Sequence, residues 1–260
     1  MPEKDTEIEK ALNVLMAFVP ENQEMGTVEI SKMLGLNKAT ASRILLTLAK
    51  KKFLQQDPKI KTFKLGQSAL LLGRTVIDSL NSQFVQIVKP HMDRLRSTVN
   101  TSILLEQMIN DRSIVMAVSE GQQRVRLAGN VGDSVPIHAT VGAKAILAFS
   151  DPEVSEKIIN RIEVFERFTS KTITSKDELI KNLKEAKRNG YSLDDEETDM
   201  GIKAIGMPIF DYRNIVVAGL AVVFPAHRIG KKIDPELLSE IKNTVDSISA
   251  ELSLNRQEGS

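Results

Sequence analysis

The sequence predicts an α+β chain of two domains: a winged helix-turn-helix at the N-terminus, a linker helix, and a larger domain that mixes strands with helices on one sheet. Three observations predict it. At 260 residues the chain exceeds the roughly 100–200 residues of one ordinary domain. Its charge is segregated: from Lys32 to Lys64 nine basic residues stand against the single acid Asp57, a local balance of +8 in a chain of net charge +1. From Thr75 onward, 23 basic residues meet 26 acidic ones. The third observation is an order of elements, in which helix, glycine turn and helix are followed by a short hairpin pattern. On these grounds the head spans 1–66, the linker helix 67–83 and the larger domain 84–256.

The first helix is marked by Ile8, Ala11, Leu12, Leu15, Met16 and Val19, spaced by threes and fours before Pro20. A second, short helix starts with Thr27 as its N-cap, turns Val28, Ile30, Met33 and Leu34 inward, and stops at Gly35, where a left-handed turn suits glycine. Asn37 caps a third helix from Lys38 to about Lys51, with Ala41, Ile44, Leu45 and Leu48 toward the core. Its opposite side carries Ala39, Ser42, Arg43, Thr47 and Lys50, with Leu46 as the apolar exception. Small residues at the N-terminal end let a helix enter the major groove, and polar ones reach base edges and phosphates. Lys38, Ala39, Thr40, Ser42, Arg43 and Thr47 are therefore the candidate DNA contacts on this helix. An Asp57-Pro58 turn then separates Phe53-Leu54 from the alternating run Lys59 to Leu65, which reads as a wing whose Lys59 and Lys61 lie on the DNA backbone.

After Gly66 a helical run carries Leu70, Leu71, Arg74, Ile77, Asp78 and Leu80, then breaks at Asn81-Ser82-Gln83. The larger domain is expected to hold a helix over 84–98, strands over 103–105 and 114–118, and a helix begun by Thr174-Ser175 and ended by Gly190. Strands over 203–210 and 215–224 follow, separated by a turn at 211–214, and a helix over 235–252 closes the pattern.

Composition bounds the function. Hydrophobic residues make up 42% and charged residues 27%, which fits a soluble globular protein. The absence of cysteine excludes thiol nucleophiles, disulfides and cysteine-bound zinc, and fits a reducing compartment. Met1-Pro2-Glu3-Lys4-Asp5 has no apolar signal core, and no run reaches the ~18 apolar residues of a membrane span, so a cytoplasmic protein without a membrane partner is expected. A solvated lysine-rich face would give the same charge run as a DNA-binding head, so the order of elements decides between them. Neither a Gly-x-Gly-x-x-Gly run, a phosphate loop nor Gly-x-Ser-x-Gly occurs, and His91, His138 and His227 are scattered. No catalytic residue, metal ligand or cofactor is expected. Asp194-Asp195-Glu196-Glu197 lacks the spacing of a calcium loop and reads as a turn whose acids cap backbone or face water.

Several stretches together resemble the isocitrate-lyase-regulator (IclR) type of bacterial transcription factors. They are 36–48, the Phe53-Leu54 strand, Lys64-Leu65-Gly66, Val135 to Ala145, Gly190 to Glu197, and Gly201 to Asp211, and they cover nearly the whole chain in the family's order. The resemblance implies that the larger domain is GAF-like, a curved antiparallel sheet flanked by helices that binds a small-molecule effector and oligomerises. It nominates the backbone amides of Val141 and Gly142, the carboxylate of Asp194, and the side chains of Leu127, Ala204, Ala221 and Val223 as effector contacts. Members that bind small keto-acids place Cys or Ser at the positions of Ala204, Ala221 and Val223, so this apolar set departs from their pattern. The resemblance also implies a homodimer or homotetramer on a palindromic double-stranded operator, with an organic acid as the effector. Two other readings stay open: an enzyme with a DNA-binding head that uses Asp194, Glu196 and Glu197 with a metal, and a regulator whose larger domain only oligomerises.

Overall fold

The structure is a computed structural model that describes residues 5–19, 24–80, 83–109, 112–122, 129–230 and 232–254. Leu127, one of the nominated effector contacts, lies outside the described residues. The chain divides into two compact units, Met1–Leu80 and Asn81–Ser260. No helix among the described residues is long and apolar enough to cross a membrane.

The first unit runs α1 (Glu7–Met16), α2 (Thr27–Met33), α3 (Lys38–Lys50), β1 (Leu54–Gln56), β2 (Phe63–Leu65) and α4 (Gln67–Leu80). Its core is Val14, Phe18, Met25, Ile30, Ala41, Ile44, Leu45, Leu54 and Phe63. Two expectations need correction. The stripe Ile8, Leu12, Met16 and Val19 is exposed, because α1 packs inward through Val14, 0% exposed, with Phe18 from the turn that follows. In α2 Val28 and Met33 also face outward, and the N-cap is Gly26 rather than Thr27, with the Glu29 carboxylate accepting from the Gly26 N–H at 2.6 Å. A seven-residue helix shows only one side to the core, and Ile30 fills it. Gly35 has φ +62°, the left-handed turn expected between α2 and α3.

The second unit runs α5 (Gln83–Val99), β3 (Ser102–Ile109), β4 (Arg112–Ser119), β5 (Ser134–Pro136), α6 (Val141–Phe149), α7 (Pro152–Asn160), α8 (Lys176–Asn189), β6 (Ser192–Asp195), β7 (Ile202–Phe210), β8 (Val216–Pro225) and α9 (Pro235–Leu254). The strands form one antiparallel sheet in the order β5-β4-β3-β8-β7-β6. Because side chains alternate between faces, register decides what meets what. Asp194 lies opposite Ala204 and Ala204 opposite Val223; Ser192 lies opposite Gly206 and Gly206 opposite Ala221; Glu106 lies opposite Gly219. These residues share one face. The other face buries Ile103, Leu105, Ile205, Met207, Leu220 and Val222. Helix α6 sits on β7 and β8, while α5 and α9 pack on each other and on the sheet.

The first turn of α6 approaches the sheet more closely than any side chain would allow. A Cβ on Gly206 would lie 2.4 Å from the Val141 carbonyl oxygen, and one on Gly219 would lie 2.4 Å from that of Gly142. Both glycines are needed for this approach, and it fixes the N-terminus of α6 over the shared face.

Candidate functional site

In the first unit α3 is built to present one side. Asn37 accepts from the Thr40 N–H at 2.7 Å, fixing the start of the helix. Ala41, Ile44 and Leu45 are buried, which turns Lys38, Ala39, Arg43 and Thr47 outward and leaves Thr40 and Ser42 half-buried at the edge. The six α3 candidates thus occupy one side and its margin. Thr47 is partly spent, since its hydroxyl donates to the Arg43 carbonyl at 2.7 Å. Arg43 meets the α1 carboxylate of Glu7 at 2.6 Å, a partner that the sequence did not suggest.

The wing is a tight hairpin pairing Leu54 with Leu65 and Gln56 with Phe63. Asp57 Oδ1 accepts from the N–H groups of Lys59 and Ile60 at 2.7 and 3.1 Å, and backbone bonds from the Lys61 N–H to the Asp57 carbonyl and from the Asp57 N–H to the Thr62 carbonyl close the tip. The two bonds to Oδ1 hold the Asp57 carboxyl below its ordinary 3.8. The tip exposes Lys59 and Lys61, the latter at φ +62°. The second strand is shorter than the alternation implied, because Lys59 and Ile60 belong to the turn.

In the second unit Val141, Asp194, Ala204, Ala221 and Val223 line one cavity of about 210 Å³, together with Leu104, Glu106, Val115 and Thr140. Larger cavities of about 570 and 410 Å³ lie beside His138 and between α7 and α8, and neither includes a nominated residue. The floor of the smaller one is apolar: Leu104, Val115, Val141, Ala204, Ala221 and Val223 pack as one cluster. Asp194 is 3% exposed and accepts from the Glu197 N–H and the Thr198 hydroxyl, each at 2.6 Å. Burial nevertheless pushes its carboxyl up from 3.8.

The start of α6, where an anion site is expected, faces a carboxylate of the chain itself. Glu106 projects from β3 against Gly142, where a Cβ would lie 2.7 Å from its Oε2. That oxygen accepts from the hydroxyls of Ser113 and Thr140, each at 2.6 Å, while the Ala143 N–H donates to the Thr140 hydroxyl at 3.2 Å. A helix N-terminus attracts an anion, and here the chain sets a carboxylate of its own beside Gly142, one of the two nominated positions. Burial pushes the Glu106 carboxyl above its ordinary 4.5 despite these donors.

Behind the cavity, Lys144 is 0% exposed and bonds both Glu197 oxygens at 2.9 and 2.8 Å and the Leu193 carbonyl at 2.8 Å. Glu196 pairs with Lys171, and Asp195 with Lys203. The four acids at 194–197 are thus spent on caps and cations, and no group of three or more potential metal-ligating residues occurs among the described residues.

Comparison with known proteins bears on both halves. The model of the bacterial transcriptional regulator IclR C-terminal domain matches residues 76–250, and that of the IclR helix-turn-helix domain matches residues 7–58. The chain belongs to the IclR family of bacterial transcriptional regulators. The HTH-type transcriptional regulator KdgR of Escherichia coli is 25% identical over 251 residues, 96% of this chain and 94% of the relative. An IclR transcriptional regulator from Alicyclobacillus acidocaldarius superposes with a TM-score of 0.73 at 22% identity, covering 96% of this chain and all of that one. An IclR homologue from Microbacterium hydrocarbonoxydans, solved with 4-hydroxybenzoate, gives 0.72 at 20% identity, covering 95% and 99% of the two chains. These likenesses show the IclR fold, a helix-turn-helix domain followed by a curved antiparallel sheet with helices.

Within this IclR-family chain, the sequence reading missed Glu106, Lys144 and the hydroxyls of Ser113 and Thr140. One signal was available for Glu106. Ser102, Leu104 and Glu106 alternate along β3, which places Glu106 on the face of Leu104 once the strand is carried past residue 105.

Proposed function

We propose that this IclR-family regulator reads a palindromic operator with α3, one half-site per head, and that a small molecule in the 210 Å³ cavity alters its operator affinity. The observation that carries the DNA half is the one-sided α3. Lys38, Ala39, Thr40, Ser42, Arg43 and Thr47 address the major groove, while Lys59 and Lys61 lie along the phosphates. Two-fold DNA symmetry calls for a homo-oligomer, dimer or tetramer. The exposed apolar stripe Ile8, Leu12, Met16 and Val19 supports self-association. Val141, Gly142, Asp194, Ala204, Ala221 and Val223 surround or adjoin the cavity, and Leu127 is retained as a contact from the resemblance. The protein acts in the cytoplasm and has no catalytic role, in keeping with relatives that are named as transcriptional regulators.

The test begins with genomic fragments retained by the purified chain, which define the operator. In mobility-shift titrations, Arg43→Ala should weaken operator binding by about 1–3 kcal/mol, and Lys61→Ala should lower the salt slope by about one. Unchanged binding in both variants at two salt concentrations would remove α3 and the wing from the interface.

A further inference from the structure

Among the described residues, every hydroxyl group lining the cavity is directed at a carboxylate. Ser113 and Thr140 donate to Glu106, and Thr198 donates to Asp194. At the start of α6, the natural anchor for an anionic ligand, the Glu106 carboxylate already stands against Gly142, and the Ala143 N–H donates to Thr140. Four acids, Glu106, Asp133, Asp194 and Asp199, line the space, and the described lining residues include no Lys, Arg or His. The buried cation Lys144 is held by both oxygens of Glu197. An organic anion placed here would lose its hydration, find its donors taken, and face two buried carboxyl groups.

We propose that the cavity selects a small organic cation, an ammonium group on a short apolar body, and rejects carboxylates. The proposal rests on reading this cavity as the effector site. An ammonium group brings donors and no acceptor, the complement of a wall made of acceptors. Its body would lie on Leu104, Val115, Ala204, Ala221 and Val223. At about 210 Å³ the space falls below the ~300–1,000 Å³ of drug-sized ligand sites, which restricts the guest to a few carbons. Glu106 stands where a carboxylate effector would stand, so it acts as a tethered competitor against that class of ligand.

Three probes of one shape separate the possibilities: n-butylamine, n-butanol and butyrate, titrated calorimetrically into the full chain at neutral pH. Butylamine should saturate a single site, and Asp194→Asn and Glu106→Gln should each weaken it by about tenfold, the scale of one charge-assisted hydrogen bond. Butyrate should show no binding to the unmodified chain and should gain affinity in Glu106→Ala, where the first turn of α6 is uncovered. The isosteric Glu106→Gln provides the test if Glu106→Ala does not fold. Butyrate binding the unmodified chain more tightly than butylamine overturns the inference and leaves the effector reading standing. Failure of all three probes to bind, with operator binding intact, overturns the effector reading together with the inference.

Discussion

Helices α3 and α6 begin alike and meet opposite surroundings. Asn37 caps one and Thr140 the other, each accepting from an N–H three residues on. At α3 the residues that follow, Lys38 and Ala39, are exposed, and the surrounding sequence is basic. At α6 every residue from Val141 to Ala148 is buried, and the Glu106 carboxylate lies against Gly142. Both termini carry the same partial positive charge. In water that charge can be left for an outside anion, such as a DNA phosphate, because solvent satisfies the amides meanwhile. In the interior unpaired amides would cost free energy, so the chain fills the place itself. The contrast shows why a helix N-terminus reveals a ligand's charge only when its surroundings are known.

The largest effect expected on the buried side is at Lys144, which is 0% exposed and balances Glu197 at 7%. Lys144→Ala should destabilise the chain by about 3–5 kcal/mol, the usual cost of stranding one partner of a buried ion pair. Urea denaturation followed by circular dichroism would measure it. Lys144→Met combined with Glu197→Leu should recover most of the loss, since an apolar pair of similar volume needs no compensation. If the single variant is as stable as the parent, the pair is solvated and the inside–outside contrast is weaker than drawn.

A second experiment sharpens the same contrast through pH. Burial raises the Glu106 carboxyl above its ordinary 4.5, so the folded chain binds that proton more tightly than the unfolded one. The stability this gives is complete below the unfolded value and is lost as pH rises through the folded one. Asp194, raised from 3.8 by burial, adds a contribution of the same sign. Glu106→Gln should therefore flatten part of the fall in melting temperature as pH rises from about 4.5 toward neutrality. An unchanged slope would mean that the donors around Glu106, the Ser113 and Thr140 hydroxyls first among them, outweigh its desolvation.

The same division explains what could be read from the sequence. Gly35, the Asn37 cap, the inward set of α3 and the Asp57-Pro58 turn are decided within a few residues, so their local signals suffice. The helix ended by Gly190, at φ +85°, was legible for the same reason. Glu106 meets Thr140, and Lys144 meets Glu197, through folding that joins distant parts of the chain. Periodicity cannot show such partners. Ile8, Leu12, Met16 and Val19 show a further limit: a stripe of apolar residues marks a face without saying what covers it.

The smallest effect belongs to the exposed side, where Arg43 and Glu7 meet at 2.6 Å with side chains 69% and 59% exposed. Lys10, also paired with Glu7 at 2.9 Å, and Arg43 together hold the Glu7 carboxyl below its ordinary 4.5. On the proposed reading Arg43 must leave Glu7 to reach DNA, and the Glu7 carboxylate would repel phosphate. Glu7→Gln should therefore tighten operator binding, by less than about fivefold because exposed pairs are weak. The gain should be greatest at low salt and fade as ionic strength rises. It should also vanish in the Arg43→Ala background if it acts through that contact, and persist there if it reflects only the charge of α1. A mobility-shift double-mutant cycle at two salt concentrations separates these. Persistence of the full gain would mean that Glu7 acts on the DNA directly, as a repelling charge beside the interface.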